Sequence, residues 1–346
     1  MLQTAVWRQR WLLSVMIVYL LAAMLTAHRF GVSERLSFID YSPSQFFLLG
    51  LYLGLFALGH LVYIMVWVRP HHLTQHLLGE LRRWASAERL SQAVPVLLLM
   101  PLFMSSFTFF KTMIPEINPF HWDAKFIEWD RVLHAGVHPW EWLQPLLGEP
   151  WLTSGINFVY HAWLFVVYAV LYWQVFNLSR PGLRMQFLLS FTLAWIVIGT
   201  LGALLLSSAG PVFNARLYTV IDDPFAPLLD YLRSANQSHH VWSLDVQELL
   251  WDSYLHAETG FGRGISAMPS MHVASSFLLA LLGWKRHPAL GVLLSLFTLT
   301  ILIGSVHLAW HYAIDGYLAC LLAGAIWWLT GRWLQKLDLD RKGQAV

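Results

Sequence analysis

The chain has 346 residues and a formal net charge of +2, with 57% hydrophobic and only 12% charged residues. Soluble domains carry about a quarter charged residues, so this composition excludes an ordinary soluble enzyme and points to a membrane protein whose first partner is the bilayer. The near-zero charge gives no reason to expect a nucleic-acid partner, and a single cysteine, Cys320, rules out an intrachain disulfide.

Apolar runs long enough to cross a bilayer recur through the chain. The first, 11–27, follows Arg8 and Arg10 and has the basic start of a signal peptide, but Leu25 breaks the small-x-small cleavage pattern before Ala27, so it is expected to be a retained first helix. Further runs follow at 46–68, 94–110, 156–176, 187–209, 268–284, 289–305 and 312–329. The expected fold is therefore all-α, a polytopic transmembrane helix bundle of about eight spans, of which the short, Ser-containing sixth carries the weakest signal. It forms one integral membrane domain over 1–346, with N-terminal helices and an amphipathic loop over 1–93 and a catalytic bundle over 94–346.

Basic residues on alternate loops set the orientation. With the N- and C-termini cytoplasmic, fourteen Lys and Arg, among them Arg184, Arg341 and Lys342, lie inside and eight outside, while 15 of the 20 acidic residues share the outer side. Trp122, Trp129, Trp140, Trp142 and Trp151, beside polar stretches, suit headgroup depth. An inner segment, 69–93, with Arg82, Arg83, Arg89 and spaced leucines, is expected to be an amphipathic surface helix.

Two long outer loops are expected, 111–150 and 210–267. The first mixes Pro115, Pro119, Pro139 and Pro145 with aromatics and suits an interfacial segment; the second ends in a flexible Gly-Phe-Gly-Arg-Gly at 260–264. Loops this long are uncommon unless functional or disordered, and their aromatic content argues against disorder, so both suit a lid or substrate cleft.

Chemistry concentrates between Met268 and Asp315. Met268-Pro269-Ser270-Met271-His272 opens an apolar hairpin that turns at Lys285-Arg286-His287-Pro288 and returns to His307-x-x-x-His311-Tyr312-x-x-Asp315. Such a hairpin brings His272 and His311 back to one membrane surface. Ser270 is placed to cap a helix with His272 in its first turn, where open backbone amides favour an anion. A spacing of four puts His307, His311 and Asp315 along one helical face, about a turn apart. Asp315 near a span end needs a partner, because a carboxylate at a helix centre costs about 2.5–3.5 kcal/mol on insertion scales. Paired with His311, it fixes the imidazole tautomer and raises the basicity of the other nitrogen. The same pair also suits a purely structural link between helices. A phosphohistidine mechanism needs a nucleophilic imidazole, a group to orient it and an acid for the leaving alkoxide, roles that His311, Asp315 and His272 fill in that order.

Pro-Ser-x-His followed after two spans by His-x-x-x-Asp resembles the type 2 phosphatidic acid phosphatase superfamily of membrane lipid phosphatases and phosphotransferases. The form Met268-Pro269-Ser270-Met271-His272 with His311-Tyr312-x-x-Asp315, preceded by Gly210-Pro211-Val212-Phe213, is most similar to the inositol phosphorylceramide synthase branch. The resemblance implies His311 as nucleophile, Asp315 as its orienting carboxylate, His272 as acid, and neither metal nor cofactor. Two departures stand out. The arginine usually found six residues before the nucleophile is replaced by Ser305, and the Lys-x6-Arg-Pro motif survives only as Lys111-x6-Asn118-Pro119. Phosphate-binding candidates are therefore Arg263, Arg216 and Lys111, with His307 and Ser270 beside the motifs.

Two other classes compete. His307-x-x-x-His311 has metal-ligand spacing, but Leu308 stands where a zinc protease needs Glu. A transporter would carry charges near the midplane, where only His60 and His161 fall; a non-catalytic lipid-binding protein is the remaining alternative. The expectation is an enzyme at the outer surface of a membrane, a bacterial inner membrane with a periplasm-facing site or a lumen-facing endomembrane. It would hydrolyse a lipid phosphate or diphosphate or pass the phospho group to an alcohol acceptor. The motifs do not separate these two fates.

Overall fold

The structure is a computed structural model that describes all residues except 39–40, 219–221, 259, 261 and 344–346, with no side chains beyond 337. Phe261 of the glycine-rich stretch and the side chains of Arg341 and Lys342 lie outside the described residues. Those described form helices and connecting turns, with no strand among them.

The chain opens with α1 (Leu2–Arg8) and α2 (Arg10–Phe30), continues through α3 (Tyr41–Tyr63), the amphipathic α4 (Leu73–Trp84) and α5 (Ala87–Ile117), then α6 (Asp123–Leu133) and α7 (Pro139–Leu147). Next come α8 (Pro150–Phe176) and α9 (Pro181–Ile196), which a π-helical turn at Val197–Gly202 joins to α10 (Ala203–Leu205). After α11 (Asn214–Leu217), α12 (Ala226–Asn236) and α13 (Trp242–Leu255) stand α14 (Met271–Arg286), α15 (Pro288–His307) and α16 (Ala313–Gly343).

Seven helical stretches are long and apolar enough to cross a membrane, at 10–30, 41–68, 87–117, 150–176, 181–205, 288–307 and 313–337. The chain is an integral, multi-pass membrane protein. The sixth expected span is α14, whose 16 residues rise about 24 Å, short of a hydrocarbon core of about 30 Å. Its polar N-terminus and buried Ser275 and Ser276 face protein instead of lipid.

The first expected loop starts later than 111. Lys111 lies within α5, which runs on through Ile117, with Phe109 and Phe110 before the lysine and Met113 and Ile114 after it all buried. The rest of both loops contains the short helices α6, α7, α11, α12 and α13.

Two compact units divide the chain. The first comprises 1–106 and 168–188. In it α2 buries Leu12, Met16, Tyr19, Ala23 and Ala27 at helical spacing and exposes Ile17, Val18, Leu21 and Leu25, an apolar face suited to lipid. The Arg184 guanidinium, 3% exposed, donates to the carbonyls of Gln174, Val175 and Gln92 and to Gln9 Oε1, so it is a structural hub as well as a positive charge. His60 lies 3.6 Å from Glu80 of α4, which gives it a carboxylate partner.

The second unit comprises 107–167 and 189–346. Its centre is the hairpin of α14 and α15. His287 ends α14 and caps α15, its Nδ1 accepting from the Ala289 amide at 3.2 Å. Gly283 and Gly291 let the helices close up, since a Cβ on Gly283 would meet the Leu290 carbonyl at 2.9 Å. A cluster of Phe126, Phe225, Met268, Tyr312 and Ile314 joins α6, the Phe225 turn, the α14 entry and the start of α16.

Candidate active site

The hairpin and the start of α16 bring the sequence motifs together. Pro269 follows a cis peptide bond, and Ser270 is the N-cap of α14, its hydroxyl accepting from the Val273 amide at 3.5 Å. The Ser270 amide donates to the Asp315 carbonyl at 3.3 Å and is therefore taken. One residue into the helix stands half-buried His272. Its ring lies 3.9 Å from that of Trp163 and stacks on Tyr160 at 4.7 Å, both from α8. Trp163 is itself fixed by donating from Nε1 to Ser275 Oγ at 2.9 Å. Among the described residues no protein group hydrogen-bonds the His272 ring nitrogens.

The His272 and His311 rings stand 6.3 Å apart at 61°. His311 occupies a turn and not a helix. The chain leaves α15 at His307, passes Ala309 in the left-handed region at φ 60°, and re-enters helix at Ala313. The amides of Trp310 and His311 both donate to the Ser305 carbonyl at 3.0 Å. This overturns the single-face row of His307, His311 and Asp315: the helix ends at the first of them, and its orphan carbonyls are used to fold the turn.

Asp315 nevertheless reaches His311. Its Oδ2 lies 3.1 Å from His311 Nδ1 and accepts from the Tyr312 amide at 3.2 Å, and the carboxylate is fully buried. A carboxylate on Nδ1 makes that nitrogen the N–H donor and leaves Nε2 with its lone pair. The hydroxyl of Tyr160, buried without a partner, lies near enough to Asp315 for the two to interact electrostatically.

Lys111 belongs to the same neighbourhood. It lies near enough to His272 for its charge to act on the ring, and among the described residues its ammonium has no hydrogen-bond partner. Gly264, at φ 91°, packs so that a Cβ would meet the Lys111 and Thr112 backbone at 3.0 Å, which seats the approach to the Ser270 motif on α5.

Other candidates are engaged elsewhere. Arg216 pairs with Glu248 and lies over Trp251; the salt bridge holds the Glu248 carboxyl below its usual value. Arg263 donates to the Leu249 carbonyl and to Ser253 Oγ. His307, fully buried, bonds Thr153 Oγ1 through Nε2 at 2.9 Å, and Thr153 in turn bonds Tyr231. Ser305 donates to the Leu302 carbonyl at 2.7 Å, and the Asn118 amide to Leu204 O at 2.7 Å, so the two residues at the missing arginines' positions serve as backbone ties.

Comparison with known proteins gives one family. A model described as the PAP2 superfamily matches residues 124–329, more than half of the chain. The chain belongs to the PAP2 superfamily. No curated protein and no solved structure matches it. The matched region holds both halves of the histidine motif but stops short of Lys111.

Around the PAP2 motifs the structure adds residues that the sequence pattern did not single out. Tyr160 and Trp163 come from a span far away in sequence, and no local signal marks them. Asp123 and Asp130 of α6 are both buried, and their spacing of seven on a short aromatic helix was the available clue. Asp123 accepts from the amides of Ala209 and Gly210 and the hydroxyls of Tyr218 and Tyr312; Asp130 accepts from the amides of Ala313 and Ile314.

Proposed function

We propose that the protein is a membrane lipid phosphate or diphosphate phosphatase that works through a phosphohistidine at His311, at the outer surface of its membrane. The observation that carries this is the His272–His311 ring pair with Asp315 on Nδ1. His311 Nε2 attacks phosphorus, an N–P bond forms, and the P–O bond to the lipid alcohol, or in a diphosphate to the lipid-bound phosphate, breaks. His272 gives its proton to the departing oxygen. Water then attacks phosphorus, His272 takes back a proton, the N–P bond breaks and phosphate leaves. Asp315 holds the ring and balances its positive charge through both steps. Lys111 is the cation best placed to neutralise the phosphoryl oxygens, since the arginine candidates are committed to other partners.

A second outcome shares the first step. The Met-Pro-Ser-Met-His and His-Tyr-x-x-Asp forms resemble the inositol phosphorylceramide synthase branch, and the aromatic walls of Tyr160 and Trp163 beside His272 suit exclusion of water in favour of an alcohol acceptor.

The test is phosphate release by purified protein from a panel of lipid phosphates and diphosphates, with and without a chelator. Release that survives the chelator, disappears in His311→Ala and falls about 10²–10³-fold in Lys111→Met is expected. Full activity in His311→Ala would sink the assigned nucleophile. No release, but a new lipid formed from a phospholipid donor and a ceramide-like or polyol acceptor, moves the protein to the phosphotransferases.

A further inference from the structure

Two carboxylates of α6 take no part in the chemistry above, yet both are held out of water. Asp123 is 0% and Asp130 3% exposed, and their spacing of seven places both on one face of the helix. A buried carboxylate is costly unless its oxygens are filled by donors. Here the hydrogen-bond donors are neutral, and they belong to segments that carry the motifs.

Asp130 Oδ2 accepts from the Ala313 amide at 3.0 Å and Oδ1 from the Ile314 amide at 3.1 Å. These are first-turn amides of α16, so a distant helix helps to cap α16. His134, one turn on, lies 3.8 Å from the same carboxylate, beyond a hydrogen bond. Asp123 Oδ1 accepts from the Tyr312 hydroxyl at 2.9 Å, and the carboxylate also takes the amides of Ala209 and Gly210 and the Tyr218 hydroxyl. That strap is tied back to the turn, because the Val212 amide donates to the Ala309 carbonyl at 3.1 Å.

Together the two carboxylates hold 312, 313 and 314, the residues between His311 and Asp315. We propose that Asp130 and Asp123 are positioning residues that keep the 312–314 segment in the register at which His311 Nδ1 meets Asp315. The proposal rests on His311 as nucleophile for its effect on turnover, though not for its effect on the geometry of the pair. A displacement of 1 Å at such a site is enough to cost about 10²-fold in rate.

The experiment compares wild type with Asp130→Asn and Asp123→Asn, purified in detergent and checked for folding by their melting curves. It measures kcat and KM on a lipid phosphate and, separately, the rate at which diethyl pyrocarbonate modifies His311, followed by peptide mass spectrometry with exposed His239 as internal reference. The expected result is a fall in kcat of about 10²-fold at unchanged KM, with a several-fold change in His311 modification and none at His239. Tyr312→Phe deletes one hydroxyl from the clamp and keeps its ring, so it decides the matter if the Asn variants do not accumulate; a smaller change in the same two readouts is expected. Folded Asn variants with wild-type kcat and wild-type His311 modification overturn the proposal, as does the same result for Tyr312→Phe. Wild-type protein without turnover defeats the phosphatase assignment alone, and the modification rates still decide the clamp.

Discussion

The proton on His311 Nδ1 decides how that ring reacts. With Asp315 Oδ2 at 3.1 Å, the proton stays on Nδ1 and the lone pair on Nε2 is free for phosphorus. Asp315→Asn keeps much of the shape but cannot balance the imidazolium that forms, so turnover should fall about 10²–10⁴-fold while binding persists, checked by kcat and KM on the same lipid phosphate. Asp130 yields a prediction in pH. Burial raises its carboxyl above the usual value, opposed by the amides of Ala313 and Ile314 and by His134 and His138. With the folded value above the unfolded one, its contribution to stability is fully present below the unfolded value and is lost as pH rises through the folded value. Asparagine has no such proton. The melting temperature of wild type relative to Asp130→Asn should therefore be highest in acid and decline as pH rises above about 4, and a rise there would contradict it.

At the scale of elements, the turn between α15 and α16 is the piece that makes a site out of a hairpin. It is fastened from several directions: Ser305 holds its amides, Gln247 Nε2 bonds the Leu308 carbonyl at 2.9 Å, and Trp310 Nε1 donates to Ser243 Oγ at 3.0 Å. Gly210 packs against it at φ 97°, where a Cβ would meet the Trp310 carbonyl at 2.7 Å. Gly210→Ala should cost about 1–3 kcal/mol through that conformation alone and displace the turn, read as a lower melting temperature together with lost turnover. The π-helical turn at Val197–Gly202 lies close by. Gly199 and Gly202 leave room there for Met271 and Pro269, so α9 reaches the entry of α14 through glycines.

For the whole molecule, the distribution of basic residues supplies an expectation of orientation. If the motif end faces outward, a cysteine placed at exposed Ser238, in a Cys320→Ser background, should react with a membrane-impermeant maleimide added to sealed cells. Labelling only after the membrane is opened would place the site inside.

Hydropathy alone located the seven spans, with ends that differ by up to eight residues, because lipid demands long apolar helices whatever their neighbours are. The motif spacing likewise announced that His272 and His311 meet, since a hairpin of two helices must return to its starting surface. The pairing of His311 with Asp315 was legible as well, though for the wrong reason: four residues can meet along a helix or across a tight turn, and Ala309 takes the second course. Lys111, a phosphate-binding candidate expected where the first outer loop begins, lies instead within α5 and close to His272. Whether a charge is spent on a neighbour, as in Arg216 on Glu248, or left for a substrate depends on contacts between residues far apart in the chain. The same holds for Asp123 and Asp130, whose acceptor oxygens find their amide and hydroxyl donors 86 to 189 residues away. Sequence determined what must lie in lipid and which residues can do chemistry, since burial in a bilayer and side-chain reactivity are local properties. Only the tertiary structure decided which of them face one another, because hydrogen-bond partners are assigned by packing.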